Sequence, residues 1–146
     1  MAGDAFVDTN VLLYAAHEGN ARYAAATALL RVEVAAGTVL WISRQVMREY
    51  LAVVTRPQPD RAPVSADEAT ADMRRLEQEF AVAEDGPDVT LQLCRLIERF
   101  PTGGRQVHDA NIVATMLAHG IPRLLTFNMA DLRRFASVVA LEPTEP

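Results

Sequence analysis

Ala5-Phe6-Val7-Asp8-Thr9-Asn10-Val11-Leu12-Leu13 sets a short β-prone run ahead of an aspartate and a second apolar run behind it. A run this short suits a buried strand, and the acid then marks the strand's carboxyl end. Four further runs share the signature: Val39-Leu40-Trp41-Ile42, Phe80-Ala81-Val82-Ala83, Arg123-Leu124-Leu125-Thr126 and Val138-Val139-Ala140. Between them the apolar period lengthens to about 3.6 residues. Tyr23, Ala26, Leu30 and Val34 keep it up to Gly37, and Val46, Tyr50 and Val53 keep it within Ser43 to Val54. Ala69, Met73, Leu76 and Phe80 follow a Ser65-x-x-Glu68 capping box. Val89, Leu93, Leu96, Ile97 and Phe100 follow Pro87, and a helix from about Val107 to His119 carries Ile112, Val113, Met116 and Leu117 and stops at Gly120. Strands interleaved with helices require crossover connections. The expected fold is therefore α/β: three layers, α/β/α, around a mostly parallel sheet of five strands.

A chain of 146 residues, half of them apolar, fits one domain, expected over 1–141 with a frayed tail over 142–146. Prolines 57, 59 and 63 predict an exposed connection between two helices, too short to separate domains. Fourteen basic against nineteen acidic residues leave a net charge of −5, so no global cationic field draws the chain onto phosphates, and any grip on nucleic acid must be local. All the basic residues are arginines. The lack of lysine excludes Schiff-base chemistry, P-loop NTPases and phospho-receiver domains. A single cysteine, Cys94, excludes an internal disulfide and a cysteine zinc cage. Neither a basic leader nor an apolar run of about 20 residues occurs, so a soluble, cytoplasmic setting is expected.

Three carboxylates stand where the apolar pattern calls for core residues. Asp8 ends the first strand, at the place where open parallel sheets bind ligands. Glu49 falls in the i, i+3, i+4, i+7 series of Val46, Tyr50 and Val53. Asp109 opens the helix of Ile112, Val113 and Met116, on their face and near the positive end of the helix dipole. Taken singly, each also suits a turn former, a solvated helix acid or an N-terminal cap. Together they need compensation, because a buried carboxylate costs several kcal/mol without a partner. Hard oxygen ligands from separate elements suit Mg²⁺ or Mn²⁺, and two such ions would support in-line attack on a phosphodiester. Beyond the fourth strand, Asn128 offers a neutral oxygen and Asp131 a full charge, although either also reads as a turn or cap residue.

Phe6-Val7-Asp8-Thr9-Asn10-Val11-Leu12-Leu13-Tyr14-Ala15, the Glu49 helix, His108-Asp109-Ala110-Asn111-Ile112-Val113-Ala114-Thr115-Met116 and Leu124-Leu125-Thr126-Phe127-Asn128 together resemble PIN-domain ribonucleases, most closely the VapC-type toxins of toxin-antitoxin modules. The resemblance spans nearly the whole chain in order. It implies an endoribonuclease dependent on Mg²⁺ or Mn²⁺, a homodimeric toxin core or a larger hetero-oligomer with antitoxin, and a cognate antitoxin covering the active site. Carried over, Asp8, Glu49 and Asp109 match the three metal-site acids and Thr9 the hydroxyl beside the first. Many PIN nucleases carry an aspartate where this chain has Asn128, which leaves open one ion or two, and Asn128 or Asp131 at the fourth position. Hydrolysis by metal-bound water would leave 5′-phosphate and 3′-hydroxyl ends. Because the acids repel RNA, arginines must hold its phosphates: Arg105 first, then Arg44 and Arg48, each equally readable as a solvated or structural residue.

Rival readings are weaker. A haloacid-dehalogenase-like phosphatase needs Asp-x-Asp where Asp8-Thr9-Asn10 stands. A PIN-like module that only binds RNA or protein is kept open by Asn128. His17, His108 and His119 lack zinc spacing, and His108 reads as a structural group adjoining Asp109. Cys94 and Trp41 read as core, and apolar helix surfaces between Arg22 and Val54 predict a patch for a second copy or the antitoxin.

Overall fold

The computed structural model describes residues 3–143. Five parallel strands form one sheet in the order β3-β2-β1-β4-β5: β1 (Ala5–Val7), β2 (Leu40–Ser43), β3 (Ala81–Ala83), β4 (Arg123–Thr126) and β5 (Ala140–Pro143). From β1 to β3 the chain steps one way across the sheet, through α1 (Thr9–Ala15), α2 (Tyr23–Ala35), α3 (Arg44–Val54) and α4 (Ala66–Glu79). It then returns through α5 (Pro87–Arg99) and α6 (Gln106–His119) to β4, and through α7 (Met129–Leu132) to β5. Parallel crossovers are almost always right-handed, so opposite directions of travel put the two helix groups on opposite faces. Packing agrees: α1 lies against α2 and α3, and α3 against α4, while α5 lies against α6. The expected three-layer α/β/α architecture is present.

The core fills the sheet between these layers. Phe6, Val7, Ile42, Leu124 and Leu125 on the central strands are fully buried, as are Val46 and Val113 on the helices facing them. Buried on both faces, such strands read as continuous apolar runs, which made them legible. The helix ends follow their caps. Ser65 accepts from Glu68 N, Pro87 opens α5, and Gly120 closes α6 at φ 68°, a left-handed conformation that favours glycine.

Differences from expectation have local causes. β5 begins at Ala140 and not at Val138, because Val138 N and Val139 N already donate to Phe135 O in the preceding turn. Glu142 and Pro143, expected in a frayed tail, extend β5 beside β4, while Thr144–Pro146 lie outside the described residues. The segment after Asp8 is a helix, α1, that no expectation had marked. Cys94, expected in the core, is exposed: it follows Leu93 by one residue and stands about 100° round the helix from it. Trp41 is half-buried, its indole N–H donating to Asp4. Val32 and Val34 on α2, together with Val39, are exposed in the region where an apolar patch was expected. Among the described residues, no helix is long and apolar enough to cross a membrane.

Candidate active site

β1 and β4 are neighbours, yet their following helices leave for opposite faces of the sheet. This is a topological switch point, where the carboxyl ends of two strands open a crevice. Asp8 sits there. Its backbone N–H donates to Leu125 O, so the β1–β4 ladder holds the acid in place. Its side chain caps α1: Oδ1 accepts from Thr9 N at 2.8 Å. Oδ2 accepts from the Thr126 hydroxyl at 2.8 Å and from Asn10 Nδ2 at 3.0 Å. Even so, the carboxyl is pushed up to about 6, chiefly by burial at 6% exposure. The hydrogen bonds from Thr126 and Thr9 oppose the shift, and the charges of Asp109 and Glu49 add to it.

Glu49 reaches the crevice from the middle of α3. Its Oε2 accepts from the Thr9 hydroxyl at 2.8 Å and its Oε1 from Gln45 Nε2 at 2.9 Å. Asp109, in the first turn of α6 and half-buried, has its pKa raised by burial first, then by Asp131 and Glu49, with His108 opposing. Charge coupling therefore links all three acids: Asp8 feels Asp109 and Glu49, and Asp109 feels Glu49. Their all-oxygen chemistry fits a hard divalent cation. Among the described residues no three His, Cys, Asp or Glu side chains close round a single point to hold an ion. A hydrated ion held by one or two carboxylates, with water completing its shell, is the kind of binding these acids suit.

At the fourth position Asn128 and Asp131, both left open by the sequence, contact each other. Asn128 turns its amide to Asp131, Nδ2 donating to Oδ2 at 3.0 Å, and it is the Asp131 charge that Asp109 feels. Thr9, expected as the hydroxyl accompanying Asp8 and as a substrate contact, is buried and donates that hydroxyl to Glu49. Arg44, expected on phosphates, is instead paired with Glu77 and Glu84. It precedes Glu49 by five residues, about 140° round the helix, so the two point to different sides. Arg105 occupies the exposed N-cap position of α6, and Arg48 is exposed beside Glu49. His108 is exposed, and its carbonyl accepts from Gln45.

Four uncharged residues about the acids had no role assigned from the sequence: Asn10, Gln45, Asn111 and Thr126. Asn10 Oδ1 accepts from Phe127 N while its Nδ2 donates to Asp8, tying the ends of β1 and β4 together. The available signal for Thr126 and Asn10 was position alone, since both lie at the carboxyl ends of adjacent strands.

The fold has counterparts among solved structures. Mycobacterium tuberculosis VapC20, a sarcin-ricin loop cleaving toxin, superposes with a TM-score of 0.68 at 22% identity, over 96% of this chain and 100% of that one. VapBC2 of Rickettsia felis, solved bound to a promoter DNA fragment, gives 0.68 at 17% identity over 95% and 97% of the two chains. VapBC-1 of nontypeable Haemophilus influenzae gives 0.69 at 15% identity over 96% and 97%. At these identities the likeness speaks for the fold alone. No curated protein matches the chain in sequence. The sequence profile of the PIN domain, however, matches residues 5–138, from the first strand to the turn before the last. With its acids gathered at the switch point of the sheet, the chain belongs to the PIN-domain family.

Proposed function

We propose that this chain is an endoribonuclease dependent on Mg²⁺ or Mn²⁺, acting as the toxin of a toxin-antitoxin pair. The observation that carries the reading is Asp8: a buried carboxylate at the switch point, raised to about 6 and coupled to two further acids, with no arginine among its partners in the described residues. Asp8, Glu49 and Asp109 would hold the cation. When bound, it would supply charge stabilisation for a reacting phosphodiester and a lowered pKa for water. Thr126, Asn10 and Thr9 orient the acids by donating to Asp8 and Glu49. Arg105 and Arg48, exposed near Asp109 and Glu49, are the arginines best placed for phosphate contacts.

RNA as substrate is supported by family membership and by the cleaving activity named for VapC20. An antitoxin partner is supported by the toxin-antitoxin complexes among the structural neighbours. Exposed Val32, Val34 and Val39 supply apolar surface for that partner or for a homodimer. The test is Mn²⁺-dependent cleavage of structured RNA by wild type, Asp8→Asn and Asp109→Asn. Cleavage lost in both variants, with 5′-phosphate and 3′-hydroxyl ends from the wild type, supports hydrolysis. Cyclic 2′,3′-phosphate ends would contradict it, and RNA binding without cleavage by the wild type would favour a binding module.

Asp131 supplies the fourth acid in this reading, with Asn128 orienting it. Asp131→Asn is expected to lower kcat about 10- to 100-fold, as removal of an outer partner of a metal site does, while Asn128→Ala has a smaller effect. Equal rates for Asp131→Asn and wild type at limiting Mn²⁺ would contradict the assignment.

A further inference from the structure

Beside Glu49 the two helices that carry acids are joined by a chain of amides. Gln45 lies one turn before Glu49 on α3 and is buried, at 7% exposure. Its Nε2 donates to Glu49 Oε1 at 2.9 Å and to the His108 carbonyl, also at 2.9 Å, which uses both amide hydrogens. Its Oε1 accepts from Asn111 Nδ2 at 2.8 Å, and Asn111 Nδ2 donates in turn to Asp85 Oδ2 at 3.1 Å. Asn111 thereby fixes which way the Gln45 amide faces. A flipped amide would set its oxygen against the Glu49 carboxylate and the His108 carbonyl and its nitrogen against the Asn111 donor.

We infer that Gln45, oriented by Asn111, is a positioning residue that presents Glu49 to the cation and holds α3 against the turn carrying Asp109. The inference rests on the reading of Asp8, Glu49 and Asp109 as a cation site. Glu49 Oε1 is fixed by Gln45 and Oε2 by Thr9, so each oxygen is directed by one donor and keeps a lone pair for a further partner. Gln45 reaches the carbonyl of the residue immediately before Asp109, so one side chain relates two acids from distant parts of the sequence. The residue type matters as well. An arginine or lysine here would neutralise Glu49 and compete with a divalent ion, whereas a neutral amide holds the carboxylate while leaving its charge intact.

The test uses Mn²⁺ alone, titrated calorimetrically into metal-free full-length protein without RNA. Gln45→Met keeps side-chain length and helix propensity and removes every hydrogen bond. It is expected to weaken Mn²⁺ binding about 10- to 100-fold, the usual loss for an outer partner of a metal ligand. At saturating Mn²⁺ the RNA KM should stay near wild type while kcat falls. Asn111→Ala leaves the Gln45 donors in place and should weaken Mn²⁺ in the same direction by a smaller factor, and it carries the test if Gln45→Met does not fold. Should both variants bind Mn²⁺ as tightly as wild type while Asp8→Asn loses it, the positioning role is overturned and the amides serve only to pack helices. Should the wild type itself take up no Mn²⁺, the cation-site reading fails first and the positioning role with it.

Discussion

Asp8→Asn should cut RNA cleavage by about 10³-fold, since loss of a cation's several kcal/mol of charge stabilisation corresponds to roughly that factor. The same substitution should leave the metal-free protein more stable at pH 7.5. In the fold the Asp8 carboxyl stands at about 6 against 3.8 for an ordinary aspartate, so ionising it disfavours the native state. At 1.36 kcal/mol per pH unit this is worth about 3 kcal/mol at most. The gain is smaller in practice, because both Asp8 oxygens accept hydrogen bonds, from Thr9 N on one side and from Thr126 and Asn10 on the other, so an asparagine amide sets its NH2 donor against another donor on one side. About 1–2 kcal/mol should remain. The sign in pH follows from proton uptake. Between about pH 4 and 6 the native state holds the Asp8 proton and the unfolded chain does not, so the Asp8 contribution falls as pH rises through this window. Above it the penalty is complete. The difference in stability between wild type and Asp8→Asn, measured by urea unfolding across pH 4 to 8, isolates this contribution from the other carboxylates. A difference that does not change across the window would contradict the burial cause.

Phe6→Ala should cost about 3–5 kcal/mol, the usual range for deleting a buried phenylalanine. Phe6 is fully buried on the central strand, paired in register with Trp41 on one side and Leu124 on the other. Its ring lies between the sheet and the helix layer on that face, fully buried, so little collapse can fill the void. A domain of this size commands about 5–15 kcal/mol in total, so the loss takes a large share of it. Asp8 follows Phe6 by two residues on the same strand extension, and loosening β1 also loosens the acid. The urea midpoint should fall strongly with an unchanged m-value, and a shift under about 1 kcal/mol would mean that the β1 packing is misassigned.

Much of the fold was legible because parallel strands buried on both faces leave short, unbroken apolar runs. Where the chain changed element without changing hydropathy, legibility ended. Val11-Leu12-Leu13 reads as apolar in any conformation, and it lies in α1, which begins at Thr9 under the cap of the Asp8 side chain. Val138 and Val139 look like strand, but their N–H groups belong to a turn. The acids were legible for a different reason: a charge in an apolar stripe demands compensation. Neutral groups raise no such demand. Thr126 passes for an ordinary strand residue and Gln45 for an ordinary helix residue, although the structure puts one on Asp8 and the other on Glu49. Arg44 shows the limit of nearness in sequence: it stands close to Glu49 along the chain, but the helical phase turns it towards Glu77 and Glu84, in keeping with its structural reading.

Thermal unfolding of wild type and Asp8→Asn at pH 7.5, each with and without Mn²⁺, addresses the gathering of acids most directly. Saturating an ion site at about 100 times its Kd adds about 2.7 kcal/mol, or roughly 5–10 °C in Tm for a domain of this size. The wild type should gain that much, while Asp8→Asn should start higher than metal-free wild type and gain little. Equal gains in both proteins, or none in the wild type, would mean that Asp8, Glu49 and Asp109 do not share a cation.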